Sequence, residues 1–169
     1  MNPDLFWIPG PWKGRLAISK RPRGGDWLED EVRGWKRAGV QLVASLLESA
    51  EERQLEITDE GPAANRSGIE FVSFPIPDRG VPASVDAAVA TLDRLSQALE
   101  SGRNVAVHCR QGIGRSALIA AGLLIASGVR PADAIETVQT ARGMEVPETA
   151  AQRAWLLSAL ADSIAQAHR

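Results

Sequence analysis

The sequence predicts an α/β fold: a central, mostly parallel sheet of four to five strands with helices on both faces. Three observations carry this. Short β-branched runs alternate with segments whose apolar residues recur every three or four positions, as in strands joined by crossover helices. One run, Val105-Ala106-Val107-His108, leads through a glycine-bearing loop into Ala117-Leu118-Ile119-Ala120-Ala121-Gly122-Leu123-Leu124-Ile125, which is too long for a strand and reads as a buried helix. At 169 residues the chain has single-domain length, with the apolar and charged fractions of an ordinary globular protein.

Taken in order, residues 1–15 carry Pro3, Pro9, Gly10, Pro11 and Gly14 among Phe6, Trp7 and Trp12, which predicts an irregular arm pinned by aromatic contacts. Leu16-Ala17-Ile18-Ser19 is a short strand, followed by the basic loop from Lys20 to Gly25. Asp26 reads as the N-cap of a helix over about 27–38, with Trp27, Leu28, Val32 and Trp35 along its inner face and Gly39 as its stop. Residues 41–47 form a buried strand. Ser49 to Glu60 is acidic and can hold a helical turn, and Glu60 to Asn65 reads as irregular. Ile69 to Phe74 is the next strand, and Pro75-Ile76-Pro77-Asp78-Arg79-Gly80-Val81-Pro82 is a stiff loop leaving it. Val85, Ala88, Val89, Leu92, Leu95 and Leu99 mark an amphipathic helix over 83–100. After the buried helix, Pro131 opens a helix that ends at Arg142-Gly143, and Pro147 opens the last one, with Trp155, Leu156 and Leu160 on one side.

Composition narrows the function. A net charge of −2 argues against a nucleic-acid partner, and one cysteine with two histidines provides no structural zinc constellation and no disulfide. No targeting segment or membrane anchor is visible, and the longest apolar stretch, 117–126, is far short of the roughly 20 residues that span a bilayer. The expected compartment is the cytoplasm, and residues 1–169 are expected to form one domain.

In parallel sheets, ligands bind outside the carboxyl ends of the strands, so the loops after Ser19, Leu47 and Phe74 should gather around the loop after His108. That loop is Cys109-Arg110-Gln111-Gly112-Ile113-Gly114-Arg115-Ser116. Successive N–H groups at the mouth of a helix, with roughly half a positive charge from its dipole, make an anion cradle. The only cysteine lies inside it. A thiol at a helix N-terminus beside a guanidinium has its pKa lowered from about 8.5 to about 3.5–7.5, so Cys109 is expected to be ionised at neutral pH. With a Brønsted slope of about 0.4–0.5, the thiolate gained is offset by lost nucleophilicity, and the clearer benefit is to the thiolate as a leaving group. A covalent intermediate that must later break is implied. Arg115 meets phosphoryl oxygens with two donors, which a lysine could not do.

An arginine six residues after a cysteine is by itself a weak signal, roughly one in ten by composition. With His108 before it, two glycines within and Ser116 after, chance falls to the order of one in a hundred thousand. HCRQGIGRS resembles the signature loop of the cysteine-dependent protein tyrosine phosphatase superfamily. Phe74-Pro75-Ile76-Pro77-Asp78 is similar to the general-acid loop of its compact, dual-specificity-like members. The resemblance extends over most of the chain, through the Arg-Pro-Arg-Gly loop with Trp27, Leu46-Leu47-Glu48 and Val146-Pro147-Glu148-Thr149, and is greatest to small stand-alone bacterial phosphatases.

The resemblance implies a protein tyrosine phosphatase-like sheet and a two-step transfer without cofactor or metal. Cys109 would attack phosphorus while Asp78 protonates the leaving oxygen, and water deprotonated by Asp78 would hydrolyse the phosphocysteine. Arg115 and the N–H groups from Arg110 through Gln111, Gly112, Ile113 and Gly114 to Arg115 would hold the phosphate. Ser116 would donate to the sulfur, and His108 would orient the loop without acting as a base. Several positions carry lesser expectations. Gln152, or Gln139 in its place, is a candidate for positioning water, against a helix-surface reading. Arg23 and Asp26 are candidates for contact with substrate or the signature loop. Glu48 either braces Arg115 or begins an acidic turn. The tryptophans read as core and arm packing.

With no tyrosine in the chain, the tyrosine form of the phosphotyrosine-recognition element of larger enzymes is absent, implying a shallower pocket. Superfamily members acting on inositol lipids resemble a loop with lysines at variable positions, where this chain has Arg110, Gln111 and Ile113. The expected substrate is therefore a phosphorylated protein or peptide, with a phosphoinositide or another small phosphate ester as the alternative. A phosphate-binding pseudophosphatase would normally have lost Cys109, Asp78 or Arg115, and a sulfur-transfer enzyme would have no use for Arg115, Ser116 and an acid loop together.

Overall fold

The computed structural model describes residues 4–167. Its centre is a five-stranded sheet of β1 (Leu5–Ile8), β2 (Leu16–Ser19), β3 (Leu42–Ser45), β4 (Glu70–Ser73) and β5 (Val105–His108), in the order β1-β2-β5-β3-β4. All neighbours are parallel except β1, which runs antiparallel along the edge of β2. The helices are α1 (Leu28–Arg37), α2 (Ser49–Gln54), α3 (Glu60–Arg66), α4 (Val85–Glu100), α5 (Arg115–Ala126), α6 (Pro131–Arg142), α7 (Ala150–Ala154) and α8 (Ala161–Ala167), the last two joined by a π-helical stretch over Trp155–Leu160.

Because side chains alternate across a strand, each central strand feeds two cores. Leu16, Ile18, Leu42, Ala44, Val105 and Val107 pack with α4, α5, α6 and Leu156 on one face. Val43 and Ala106 turn to the other face, against Leu28, Val32 and Trp35 of α1 and Ala63 and Ala64 of α3. The middle helix, α5, is buried from Arg115 through Ile125, which is why its sequence is apolar on every side. The parallel register aligns Ser19, His108 and Ser45, and Ser45 aligns in turn with Ser73, so four chain segments leave the sheet at one edge. No helix among the described residues is long and apolar enough to cross a membrane.

Four local expectations are corrected. Leu5–Ile8 is a strand, not part of an irregular arm, and residues 1–3 of that arm lie outside the described residues. Flanking prolines are compatible with a strand paired on one side only. Residues 60–66 are helical despite Gly61-Pro62, because proline in a first turn forfeits no helical hydrogen bond. Asp26 is not an N-cap: it lies exposed in a 3-10 turn, Gly25–Trp27, and Trp27 is exposed ahead of α1. Pro147 does not open α7, whose N-cap is Thr149, with Oγ1 accepting from Gln152 N and Gln152 Oε1 accepting from Thr149 N, each at 3.1 Å.

Candidate active site

The loop between β5 and α5 must turn within six residues while presenting its N–H groups inward. Gly112 adopts φ +74°, a left-handed conformation that favours glycine, and its N–H donates to Cys109 Sγ at 3.2 Å. Arg142, reaching from the end of α6, donates from Nε to Gly112 O at 2.8 Å while its guanidinium lies 4.0 Å over the Phe6 ring. The arm that the sequence read as irregular thus helps to hold the loop. The result is a cavity of about 220 Å³ with the 109–115 loop as its floor, Asp78 and Arg79 on one wall and Glu148 on another.

Cys109 and Arg115 meet at the floor. Burial pushes the thiol up, but the Ser116 hydroxyl and N–H, the Gly112 N–H and the Arg115 guanidinium outweigh it and hold the thiol below its ordinary pKa. Ser116 Oγ is buried and has no other hydrogen-bond partner among the described residues, which leaves its hydroxyl to the sulfur.

Arg115 is 2% exposed. Its Nη1 and Nη2 bond Glu51 Oε1 and Oε2 at 2.6 and 2.9 Å, Nη1 also donates to Ile76 O at 3.0 Å, and Nη2 reaches Asp78 Oδ1 at 3.2 Å. Burial opposes the guanidinium charge, and Glu51, the Cys109 thiolate and Asp78 restore it. The same pairing holds the Glu51 carboxyl below its ordinary range against burial. Glu48, offered by the sequence as the brace, is instead the exposed N-cap of α2, and its N–H donates to Glu51 Oε1 at 3.1 Å. The shift of three residues is one helical turn: the cap stays in water and the glutamate one turn after it points inward.

Asp78 stands at the pocket mouth, 59% exposed at its side chain, and Arg79 beside it bonds Glu148 Oε1 at 2.6 Å across the mouth. The acid loop has a second tether. Gln152 is buried, not on a helix surface, and its Nε2 donates to Gly80 O at 3.0 Å, while a Cβ on Gly114 would lie 3.2 Å from its amide. It therefore sits between the acid loop and the signature loop. Gln139 is turned away and accepts from Arg153. Arg110, Gln111 and Ile113 line the pocket as expected, with Arg110 Nη1 4.0 Å from Glu51 Oε2. Arg23 bonds Glu31 and stacks on Trp27, outside the pocket lining.

His108, at the end of β5, is wholly buried: Nε2 lies 2.5 Å from Glu60 Oε1, and Nδ1 donates to Cys109 O at 3.2 Å. Glu51, Glu60 and Arg142 are the residues sequence reasoning missed. The only available signal was for Glu51, a glutamate at the third helical position after the Glu48 cap.

Comparison with known proteins agrees with the geometry. The family model described as "Polymorphic toxin system, DSP-PTPase phosphatase" matches residues 18–129. The chain is 27% identical over 131 residues to the rat (Rattus norvegicus) protein named cyclin-dependent kinase inhibitor 3, covering 76% of this chain and 61% of the relative. It is 33% identical over 130 residues to the cattle (Bos taurus) protein tyrosine phosphatase type IVA 3, covering 76% and 69%. The crystal structure of kinase associated phosphatase with its catalytic cysteine changed to serine superposes with a TM-score of 0.89 at 21% identity, covering 98% of this chain and 97% of that one. The fold, the match to the family model over two-thirds of the sequence and the bovine relative agree: this chain belongs to the dual-specificity-like phosphatases of the cysteine-dependent protein tyrosine phosphatase superfamily.

Proposed function

We propose that residues 1–169 form one phosphatase domain that hydrolyses phosphomonoesters on proteins or peptides through a phosphocysteine. The observation that carries this is the meeting of Cys109 Sγ and Arg115 at the floor of one cavity, with Asp78 Oδ1 3.2 Å from the arginine at its mouth. A phosphate seated on the loop N–H groups and Arg115 presents phosphorus to Sγ. Attack forms the S–P bond and breaks the P–O bond, and Asp78 delivers a proton to the departing oxygen. Asp78 then takes a proton from water as it attacks phosphorus, and Cys109 leaves as the thiolate, its charge eased by Ser116. Positive charge for the transferring oxygens comes from the guanidinium and preorganised N–H groups, a sufficient set for the reaction without a metal.

The rim favours a phosphoprotein over a polyphosphorylated headgroup. Arg79 is paired with Glu148, Arg110 leans toward Glu51, and a carboxylate at the rim repels additional phosphates. The test is hydrolysis of p-nitrophenyl phosphate in chelator, followed by phosphotyrosine, phosphoserine and phosphoinositide substrates. Wild type should turn over with chelator present and prefer phosphopeptides, and Cys109→Ser should be inactive. Turnover retained in Cys109→Ser overturns the thiolate mechanism, and preference for the inositol lipid overturns the substrate class.

A further inference from the structure

Of the three large apolar side chains exposed among the described residues, Trp27, Met144 and Leu157, two flank a single groove. The groove starts at Glu148, which is also a wall of the catalytic cavity, and runs along α7 as a hollow of about 470 Å³ lined by Pro147, Ala154 and Leu157. Beyond Glu145 and Arg153 it continues as a second hollow of about 520 Å³ beside Met144. Its shape is fixed from within the protein. Arg153 Nη2 donates to Gln139 Oε1 at 3.3 Å and to Val146 O at 3.4 Å and lies 3.8 Å from Glu145 Oε1, which ties α6, the segment after it and α7 together. Farther along, the i+5 repeat of the π-helical stretch turns Trp155 and Leu160 into the core and leaves Leu157 outside.

Resting on the phosphoprotein phosphatase reading above, we propose that this groove is a specificity subsite that takes an apolar side chain of the substrate polypeptide, about three or four residues away from the phosphorylated one. Continuity with the catalytic cavity names the occupant. Glu148 lines both, so a peptide whose phosphate sits on the 109–115 loop has the groove beside its next residues. From Ala150 to Leu157 the helix runs about 10 Å at about 1.5 Å per residue, the length of about three residues of extended chain. Two arginines border the groove and both are committed, Arg79 to Glu148 and Arg153 to Gln139 and Val146, so neither is left to receive an acidic flanking residue. Leu157 and Met144, by contrast, offer apolar area that is covered only when a partner lies on it, and exposed apolar surface gathered in one strip marks an interaction site.

The experiment walks a single leucine through phosphotyrosine peptides that are otherwise alanine and serine, over about five positions on each side of the phosphotyrosine. Leucine about three or four residues away, on one side only, should raise kcat/KM about tenfold, the low end for an aliphatic group entering an apolar pocket. The gain should come chiefly through KM, because the contact is the same before and during the reaction. Leu157→Ser combined with Met144→Ser should abolish the preference while leaving kcat/KM for p-nitrophenyl phosphate, which is too small to reach the groove, within about twofold of wild type. Leu157→Met should keep most of the preference. The same leucine preference should appear in the binding of these peptides to Cys109→Ser, a measurement that needs no turnover. A preference absent from both assays, one that survives the double substitution, or aspartate accepted as well as leucine at the favoured position overturns the proposal. So does sedimentation showing a dimer that Leu157→Ser dissociates, which would assign the strip to a second copy of this chain. Absence of p-nitrophenyl phosphate turnover in wild type, with the leucine preference intact in Cys109→Ser binding, would defeat the hydrolase reading and leave the groove assigned.

Discussion

Replacing Glu51 with glutamine tests what holds the phosphate-binding arginine. Arg115 has almost no contact with water, and two of its bonds, at 2.6 and 2.9 Å, go to the Glu51 carboxylate. Breaking a buried ion pair by removing one partner costs about 3–5 kcal/mol, since it leaves a charge uncompensated. Glutamine keeps one oxygen for Nη1 and Asp78 still faces Nη2, so the low end, about 3 kcal/mol, is expected. For a chain of this length, that is a Tm decrease of about 6–12 °C. Catalysis should fall as well. Losing a preorganised donor to a developing oxyanion costs about 10²–10³ in kcat, and an arginine that is present but loosened belongs near 10².

The sign of the pH dependence separates this from a packing defect. The folded-state pKa of Glu51 lies below its ordinary 4.5 because Arg115 stabilises the carboxylate. A depressed carboxylate contributes stability above its unfolded pKa, and this is lost as pH falls through the folded value. The Tm gap between wild type and Glu51→Gln should therefore be full at pH 7 and shrink progressively below pH 4.5. Thermal unfolding across pH, with p-nitrophenyl phosphate kinetics at neutral pH, measures both effects. A gap below about 3 °C at pH 7, or one unchanged at low pH, with kcat/KM within about twofold of wild type, refutes the reasoning.

Two further substitutions share a signature. Asp78→Asn should lower kcat by about 10²–10⁴, least for aryl phosphates with the most acidic leaving groups, and a uniform loss across leaving groups would remove Asp78 from the acid role. Gln152→Ala cuts the bond to Gly80 O, so it should lower kcat about 10- to 100-fold through a misplaced acid loop, with the same leaving-group dependence and little change in KM. A loss confined to hydrolysis of the phosphocysteine, seen as a burst, would show that Gln152 acts on water instead.

The parts legible in the sequence are those whose neighbours in space are also neighbours in the chain. Val105 to Ile125 shows a strand, a loop and a helix because β-branching, glycine spacing and an unbroken apolar run are local properties. Cys109, Gly112, Arg115 and Ser116 are readable for the same reason. Glu51 and Glu60 are not, because both lie in an acidic stretch that reads as a solvated face. Glu51 is buried by Arg115, 64 residues further on, and Glu60 by His108, 48 residues further on. Each partner is brought to the carboxyl edge of the sheet by crossover topology, which periodicity does not encode. Gln152 is legible only as one of two alternatives, because its capping box with Thr149 is local while the Gly80 carbonyl that its amide meets lies 72 residues away in the acid loop.

The Glu51 pairing explains how a chain of net charge −2 keeps a buried guanidinium under its pocket. An isolated buried guanidinium would be costly. A buried carboxylate partner removes that cost, although it cancels part of the field. The fork of the guanidinium limits that cancellation, since Nη2 bonds Glu51 Oε2 from α2 and still reaches Asp78 Oδ1 at the pocket mouth. Lysine could not replace Arg115 here, since a single ammonium cannot bond both Glu51 oxygens and still present a planar pair of donors to phosphate.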